Sequence, residues 1–189
     1  MKKIFIIAYI GLCALVIFGC QKNYKLISKE NICAIISNQD IVDTFNYKVK
    51  DTEADESSNS ISCKYSSPDF FEGTTIENTP DAVPPAGYKG GIEYTAVTIE
   101  KLLSVKSIEE IQKPQTYGGD VSFSKKWENN VGVGDNSAIT ISKNPELYFK
   151  LGDSIYRIAS SGTSTAVIQI TKEQLITLAK KFINNLAMQ

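Results

Sequence analysis

Asn144-Pro145-Glu146-Leu147-Tyr148-Phe149-Lys150-Leu151-Gly152-Asp153-Ser154-Ile155-Tyr156-Arg157-Ile158-Ala159-Ser160 is the stretch that decides the fold. Asn144-Pro145 turns the chain, and two runs rich in aromatic and branched residues, Glu146 to Leu151 and Ser154 to Ser160, flank a Gly152-Asp153 corner. That pattern is a β-hairpin, because the glycine relieves the corner of a side chain while both arms favour a pleated surface. Downstream, Ala166 to Ile170 reads as a further edge strand. Thr171 to Gln174 then forms a capping box, and Leu175, Leu178, Ala179, Phe182, Ile183 and Leu186 recur at helical spacing, which predicts a terminal amphipathic helix.

Upstream of the hairpin, Val121 and Phe123 open a strand and Ala138 to Ser142 forms another. Between them Gly132-Val133-Gly134-Asp135 reads as a tight structural turn whose glycines supply positive φ. Ile92 to Ile99 predicts a strand, and Leu102, Leu103, Ile108 and Ile111 predict a helical stretch that Pro114 stops. Ser66 to Gly91 has no period and carries Pro68, Pro80, Pro84 and Pro85, so it reads as a long loop. Tyr47 to Lys50 begins a strand, Asp51 to Asn59 is a polar hairpin end, and Ile61, Cys63 and Tyr65 alternate as the returning strand. Ser28 caps a helix whose Ile32, Ile35 and Ile36 share a face, and Ser37 with Asp40 opens a second one carrying Ile41, Val42 and Phe45. Helices at both ends of a run of consecutive strands predict an α+β fold: an antiparallel sheet of about five to seven strands with N-terminal and C-terminal helices packed on it. Connections this short leave no room for repeated parallel crossovers.

The N-terminus has the form of an export signal. Lys2 and Lys3 precede an uncharged, mostly apolar run from Ile4 to Phe18. As a helix it would span about 22 Å, short of a hydrocarbon core of about 30 Å, which favours a signal peptide over a membrane span. The run ends in Ile17-Phe18-Gly19-Cys20, which resembles the lipobox of bacterial lipoproteins, with Phe18 where a small or β-branched residue is usual. That resemblance implies cleavage before Cys20 and two acyl chains on it, enough for stable anchoring. An ordinary signal, or an uncleaved anchor with a chance cysteine, is the alternative. Residues 1–19 are then the signal, 20–27 a lipidated tether and 28–189 one globular domain, held by its lipid on the extracytoplasmic side. In a bacterium with two membranes, Gln21 stands where the lipoprotein resemblance implies an Asp for inner-membrane retention, which points to the outer membrane facing the periplasm.

Of the four cysteines, Cys13 leaves with the signal and Cys20 carries lipid, so Cys33 and Cys63 remain. In an oxidising compartment such an isolated pair is expected to be bridged, tying the first helix to the strand of Cys63.

The chain contains no histidine, which removes Ser-His-Asp and Cys-His nucleophile systems and imidazole metal sites. Twenty basic against 21 acidic residues give no basic field for nucleic acid. Gly132-x-Gly134 lacks the third glycine and the preceding buried strand of a dinucleotide site. Ser122-Phe123-Ser124-Lys125 matches Ser-x-x-Lys without a companion Lys-Thr-Gly. Asp51, Glu53, Asp55 and Glu56 imitate a calcium loop, yet Glu56 stands where the sharp turn needs glycine and Ser62 where the closing glutamate belongs. Glu109 and Glu110 lie on a helical face expected to be exposed, and no carboxylate pair stands out for glycosidase chemistry. No cofactor and no metal is expected. Tyr88, Tyr94, Tyr117, Tyr148 and Tyr156 with Trp127 could line a hydrophobic groove, with the Pro-rich loop that carries Tyr88 as its lip.

The ordered set as a whole resembles a known group. Cys20 in a lipobox, a helix bearing Cys33, the Ser37-to-Phe45 helix, Cys63 with Tyr65 two residues on, Gly132-Val133-Gly134-Asp135 with Ala138, a Gly152-Asp153 hairpin and a terminal helix resemble the small two-cysteine secreted lipoproteins of the actinobacterial type, a domain of unknown function. The resemblance covers about residues 28 to 187. It implies an α+β fold and a disulfide between the two cysteines. The expected function is a non-catalytic binding or scaffolding domain in the cell envelope, with the membrane and an envelope protein or small ligand as partners. The alternatives are a carrier of a small apolar ligand or lipid, and a cell-wall-acting enzyme that uses carboxylates.

Overall fold

The computed structural model describes residues 26–46, 48–67, 95–117, 121–142, 144–162 and 170–188. Two antiparallel meanders build one seven-stranded sheet. The first comprises β1 (Asp51–Glu56), β2 (Ser60–Ser66) and β3 (Thr95–Leu102). The second comprises β6 (Trp127–Asn129), β7 (Asn136–Thr140), β8 (Glu146–Leu151) and β9 (Ser154–Gly162), and antiparallel pairing of β3 with β9 gives the order β1-β2-β3-β9-β8-β7-β6. A separate pair, β4 (Gln115–Tyr117) and β5 (Val121–Phe123), lies in the connection between the meanders. The α+β architecture is the one the sequence predicts.

Helices α1 (Lys29–Ile35), α2 (Asn38–Phe45) and α4 (Lys172–Met188) flank the sheet, and the main core lies between them and it. Their starts follow local hydrogen bonding. Asn31 accepts from the Ser28 amide at 2.9 Å and donates to the Leu26 carbonyl at 2.9 Å, fixing the chain's entry into α1. Ser37 and Asp40 exchange bonds at the start of α2, as do Thr171 and Gln174 at the start of α4, so each satisfies amides that a helix leaves orphaned. Ile32, Ile36, Phe45, Tyr65, Phe149 and Phe182 are fully buried between the layers, each contributing roughly 1.5–3 kcal/mol. Ile27, placed in the tether by sequence, belongs to this core. The bridge Cys33–Cys63 joins α1 to β2 with the Cα atoms 5.2 Å apart.

Two local expectations are corrected. Asp51 to Glu56 is strand β1, not a hairpin end, and the turn is confined to the residues between it and Ser60. β1 is an edge strand exposed on nearly every residue, so it carries no apolar alternation. Leu102 extends β3 opposite Ser60 and Ile155, and the predicted helix shrinks to the single turn α3 (Ile108–Ile111). α3 also lies against the opposite face of the sheet from the other helices, over Ala138, Tyr148 and Ile155. Residues 92–94, most of the Ser66-to-Gly91 loop and residues 166–169 of the predicted edge strand lie outside the described residues; Ile170 is buried and not in a strand.

Candidate binding surface

Strand alternation sends Leu147, Phe149, Tyr156 and Ile158 to the helices, so Glu146, Tyr148, Ile155 and Arg157 project from the other face. Register then sets Glu100, Arg157, Tyr148 and Ala138 in one row across β3, β9, β8 and β7. Arg157, the single arginine of the chain, donates from Nη1 to Glu100 Oε2 at 2.8 Å and from Nη2 to Glu146 Oε1 at 2.9 Å. Glu146 Oε2 also accepts from Lys125 Nζ at 2.6 Å and from the Tyr148 hydroxyl at 2.9 Å. The guanidinium carbon stands 5.9 Å from the Tyr148 ring centroid, and Trp127, the single tryptophan, meets the same ring edge-on at 5.7 Å. Arg157 Nε and Trp127 Nε1 are buried donors with no hydrogen-bond partner among the described residues.

The electrostatics follow from crowding. Burial raises the Glu146 carboxyl, but Lys125, Arg157 and the Tyr148 hydroxyl outweigh it and hold the group below its ordinary range. Burial pushes the Tyr148 phenol far up and Glu146 adds to it, against the pull of Arg157, so Tyr148 stays a neutral donor. Asp40 on the helix side is likewise lowered: burial opposes, while Lys181 and Ser37 prevail. A carboxyl whose folded pKa lies below its unfolded value adds stability above about pH 4.5, and that contribution fades as pH falls through the folded value. The midpoint of thermal unfolding is therefore expected to fall as pH drops below about 4.5. Arg157→Met should lose less on the same acidification, since Glu146 then has fewer cations to hold it ionised. Equal acid losses in both proteins would show that the Glu146 pairing is not the source.

The residues singled out by sequence separate in space. Trp127 and Tyr148 come together, whereas Tyr156 stacks on Phe149 in the main core. Trp127 is half-buried beside the cluster that α3 covers. Tyr88, Tyr94 and Cys20 lie outside the described residues. Gly132 and Gly134 hold φ of +77° and +62° in the β6–β7 connection, and Gly152 holds +55° at the hairpin corner. Asp135 locks the two turns together: its amide donates to the Lys150 carbonyl at 2.8 Å and its Oδ2 accepts from the Gly152 amide at 2.7 Å. Glu109 accepts from Asn136 at 3.2 Å and Glu110 from the Lys106 amide at 3.1 Å, which fastens α3 to its surroundings. Asp51, Glu53 and Asp55 alternate along the extended β1, where they cannot wrap an ion as a loop does. Among the described residues no group of three or more metal-ligating side chains converges.

Two surface depressions adjoin α4. One, of about 250 Å³, lies between its N-terminus and the ends of β7 and β8, with Glu128, Ile141, Pro145 and Lys172 on its walls. The other, of about 490 Å³, runs between α2 and α4 and is lined by polar side chains including Asp43, Glu173, Lys180 and Asn184.

The Arg157 cluster escaped the sequence because its members are 46 and 11 residues apart along the chain, at Glu100, Glu146 and Arg157, and only register unites them. The available signal was a lone arginine inside the apolar run Ile155 to Ala159. Compared with known proteins, the chain matches no family model, and no curated protein or solved structure is significantly similar to it.

Proposed function

We propose that this protein is a lipid-anchored extracytoplasmic domain that binds a protein partner in the bacterial cell envelope and catalyses no reaction itself. The observation that carries the proposal is the Cys33–Cys63 bridge, which uses both cysteines downstream of the lipobox Cys20 and suits an oxidising compartment. The space between sheet and helices is filled by Tyr65, Phe45, Phe149 and Phe182, and the depressions beside α4 carry charged walls, which supports a partner at the surface over an enclosed apolar guest. The partly exposed rim over the buried Tyr148, formed by Trp127, Arg157, Glu100 and Glu146, is the surface assigned to that partner. It gathers Trp, Tyr and Arg, the residue types that dominate interface energetics, and its charges are already held in place by their neighbours.

Cys20→Ser tests the anchor in the full chain. The variant is expected either to leave the membrane fraction or to accumulate with its signal attached, seen as a heavier precursor by intact-protein mass. Unchanged membrane attachment together with an unchanged mature mass would contradict the lipoprotein assignment. For the partner face, crosslinking in intact cells followed by pull-down of the lipoprotein should recover a specific protein. Trp127→Ala should weaken its capture at least about tenfold while Lys180→Ala does not, since losing a buried aromatic anchor costs about 2 kcal/mol or more.

A further inference from the structure

Building on the lipid anchor proposed above, we infer that the end of the domain where the tether enters is a membrane-contact surface, with Leu26, Leu103 and Met188 seated at the headgroup boundary of the bilayer that holds Cys20.

Three elements converge on that end. The Cys33–Cys63 bridge and the bond from the Tyr65 hydroxyl to the Ile36 carbonyl, 2.8 Å, show that α1 runs in the same direction as β2. Its N-terminus, and Leu26 with it, therefore lies toward the Ser60 end of β2. At the same end β3 finishes with Leu102 opposite Ser60, and the Leu103 amide donates to the Asn59 carbonyl at 2.8 Å. Helix α4 begins beside the ends of β7 and β8 and lays Phe182 on Phe149 and Tyr156, heading toward this end, and Met188 lies less than one turn past Asn185, which donates to the Ile35 carbonyl at 2.8 Å. Leu26 and Met188 are each 77% exposed and Leu103 is 45% exposed. The remaining large exposed hydrophobic among the described residues, Ile141, follows β7 at the opposite end of the sheet. Single exposed apolar side chains need no explanation, but three around the entry point of a lipid tether do.

The length of the tether keeps this end of the domain close to the bilayer. Cys20 and Leu26 are six residues apart, a reach of at most about 21 Å, while a domain of this size is about 40 Å across. Ile27 is buried and Asn31 grips the Leu26 carbonyl, so no slack is gained by unpeeling the start of α1. Anchoring turns docking into an intramolecular event, for which a weak apolar contact suffices. Lys29, Lys101 and Lys106 are offset near this end by Glu30, Glu56 and Asp153, whereas the tether adds Lys22 and Lys25, so a neutral phosphatidylcholine surface is needed to isolate the apolar part of the contact.

The experiment uses the full lipidated chain reconstituted in phosphatidylcholine vesicles that carry a nitroxide-labelled acyl chain. A fluorophore is attached to a single introduced thiol in Leu103→Cys, Met188→Cys or Ile141→Cys, the other cysteines of the mature chain being acylated or bridged. Quenching by about twofold is expected at positions 103 and 188, little at 141, and no change on adding about 0.5 M salt, where surface charge is screened within a few ångström. Quenching at 103 no greater than at 141 would overturn the docking while leaving the anchor intact. Loss of quenching in salt would overturn the apolar mode of contact. Quenching that follows protein density instead of nitroxide lipid would assign the surface to a second copy of the chain. Failure of the labelled protein to float with the vesicles would overturn the anchor and the docking together.

Discussion

Gly134→Ala is expected to destabilise the fold by about 3 kcal/mol, lowering the midpoint of thermal unfolding by roughly 6–12 °C. Two costs combine there. Gly134 sits at φ +62°, where an L side chain pays about 1–2 kcal/mol. A Cβ built on it would also lie 2.3 Å from the Lys150 carbonyl oxygen, a backbone atom that cannot swing aside. That oxygen accepts the Asp135 amide, so displacing it loosens the lock between the β6–β7 and β8–β9 turns as well. Gly132→Ala and Gly152→Ala are the internal controls. Both positions have positive φ, yet nothing lies within 4 Å of either added Cβ, so each should cost only about 1 kcal/mol. Equal losses at 132, 134 and 152 in calorimetry would show that the contact with Lys150 contributes nothing.

Replacing the bridged pair, Cys33→Ala with Cys63→Ala, should cost about 3.5 kcal/mol, or roughly 10 °C in the unfolding midpoint. The bridge closes a loop across 30 positions, and the chain-entropy relation assigns that amount to releasing such a loop in the unfolded ensemble. The native packing around the site should survive, because α1 keeps Ile32, Ile35 and Ile36 buried and Tyr65 keeps its bond to the Ile36 carbonyl. Denaturant unfolding of the variant with and without reductant is the measurement: the variant should be indifferent to reductant, whereas the parent protein should fall to the variant's stability when reduced. A parent protein whose unfolding ignores reductant would mean that the bridge adds no stability.

What the sequence revealed follows from which residues meet apolar neighbours on one side only. Ile61, Cys63 and Tyr65 alternate because β2 is covered on the helix side and comparatively open on the other, and β8 with β9 announced themselves through Gly152. β1 stayed hidden because an edge strand with little cover on either face has nothing to alternate. β6 is three residues long, too short for any period to show. Leu102 misled because an apolar pair beside Ile108 and Ile111 fits a helix as well as a strand end, and only pairing with Ser60 and Ile155 decides it. For the candidate surface the limit was different. Trp127 could be singled out by its rarity, and the disulfide by elimination, but the meeting of Glu100, Glu146 and Arg157 depends on the β3–β9 pairing across 57 residues, which no local pattern encodes.

The acidic edge strand β1 has a consequence for crowding. A lipid-tethered protein moves in two dimensions, where neighbours meet in similar orientations and at high local density. Those are the conditions under which open strand edges zip together into extended sheets. Asp51, Glu53 and Asp55 would be brought opposite the same residues of a neighbour if two β1 edges paired, and like charges in facing positions resist such a ladder. With the anchor proposed above, the polarity that concealed this strand would keep a packed layer of these molecules fluid.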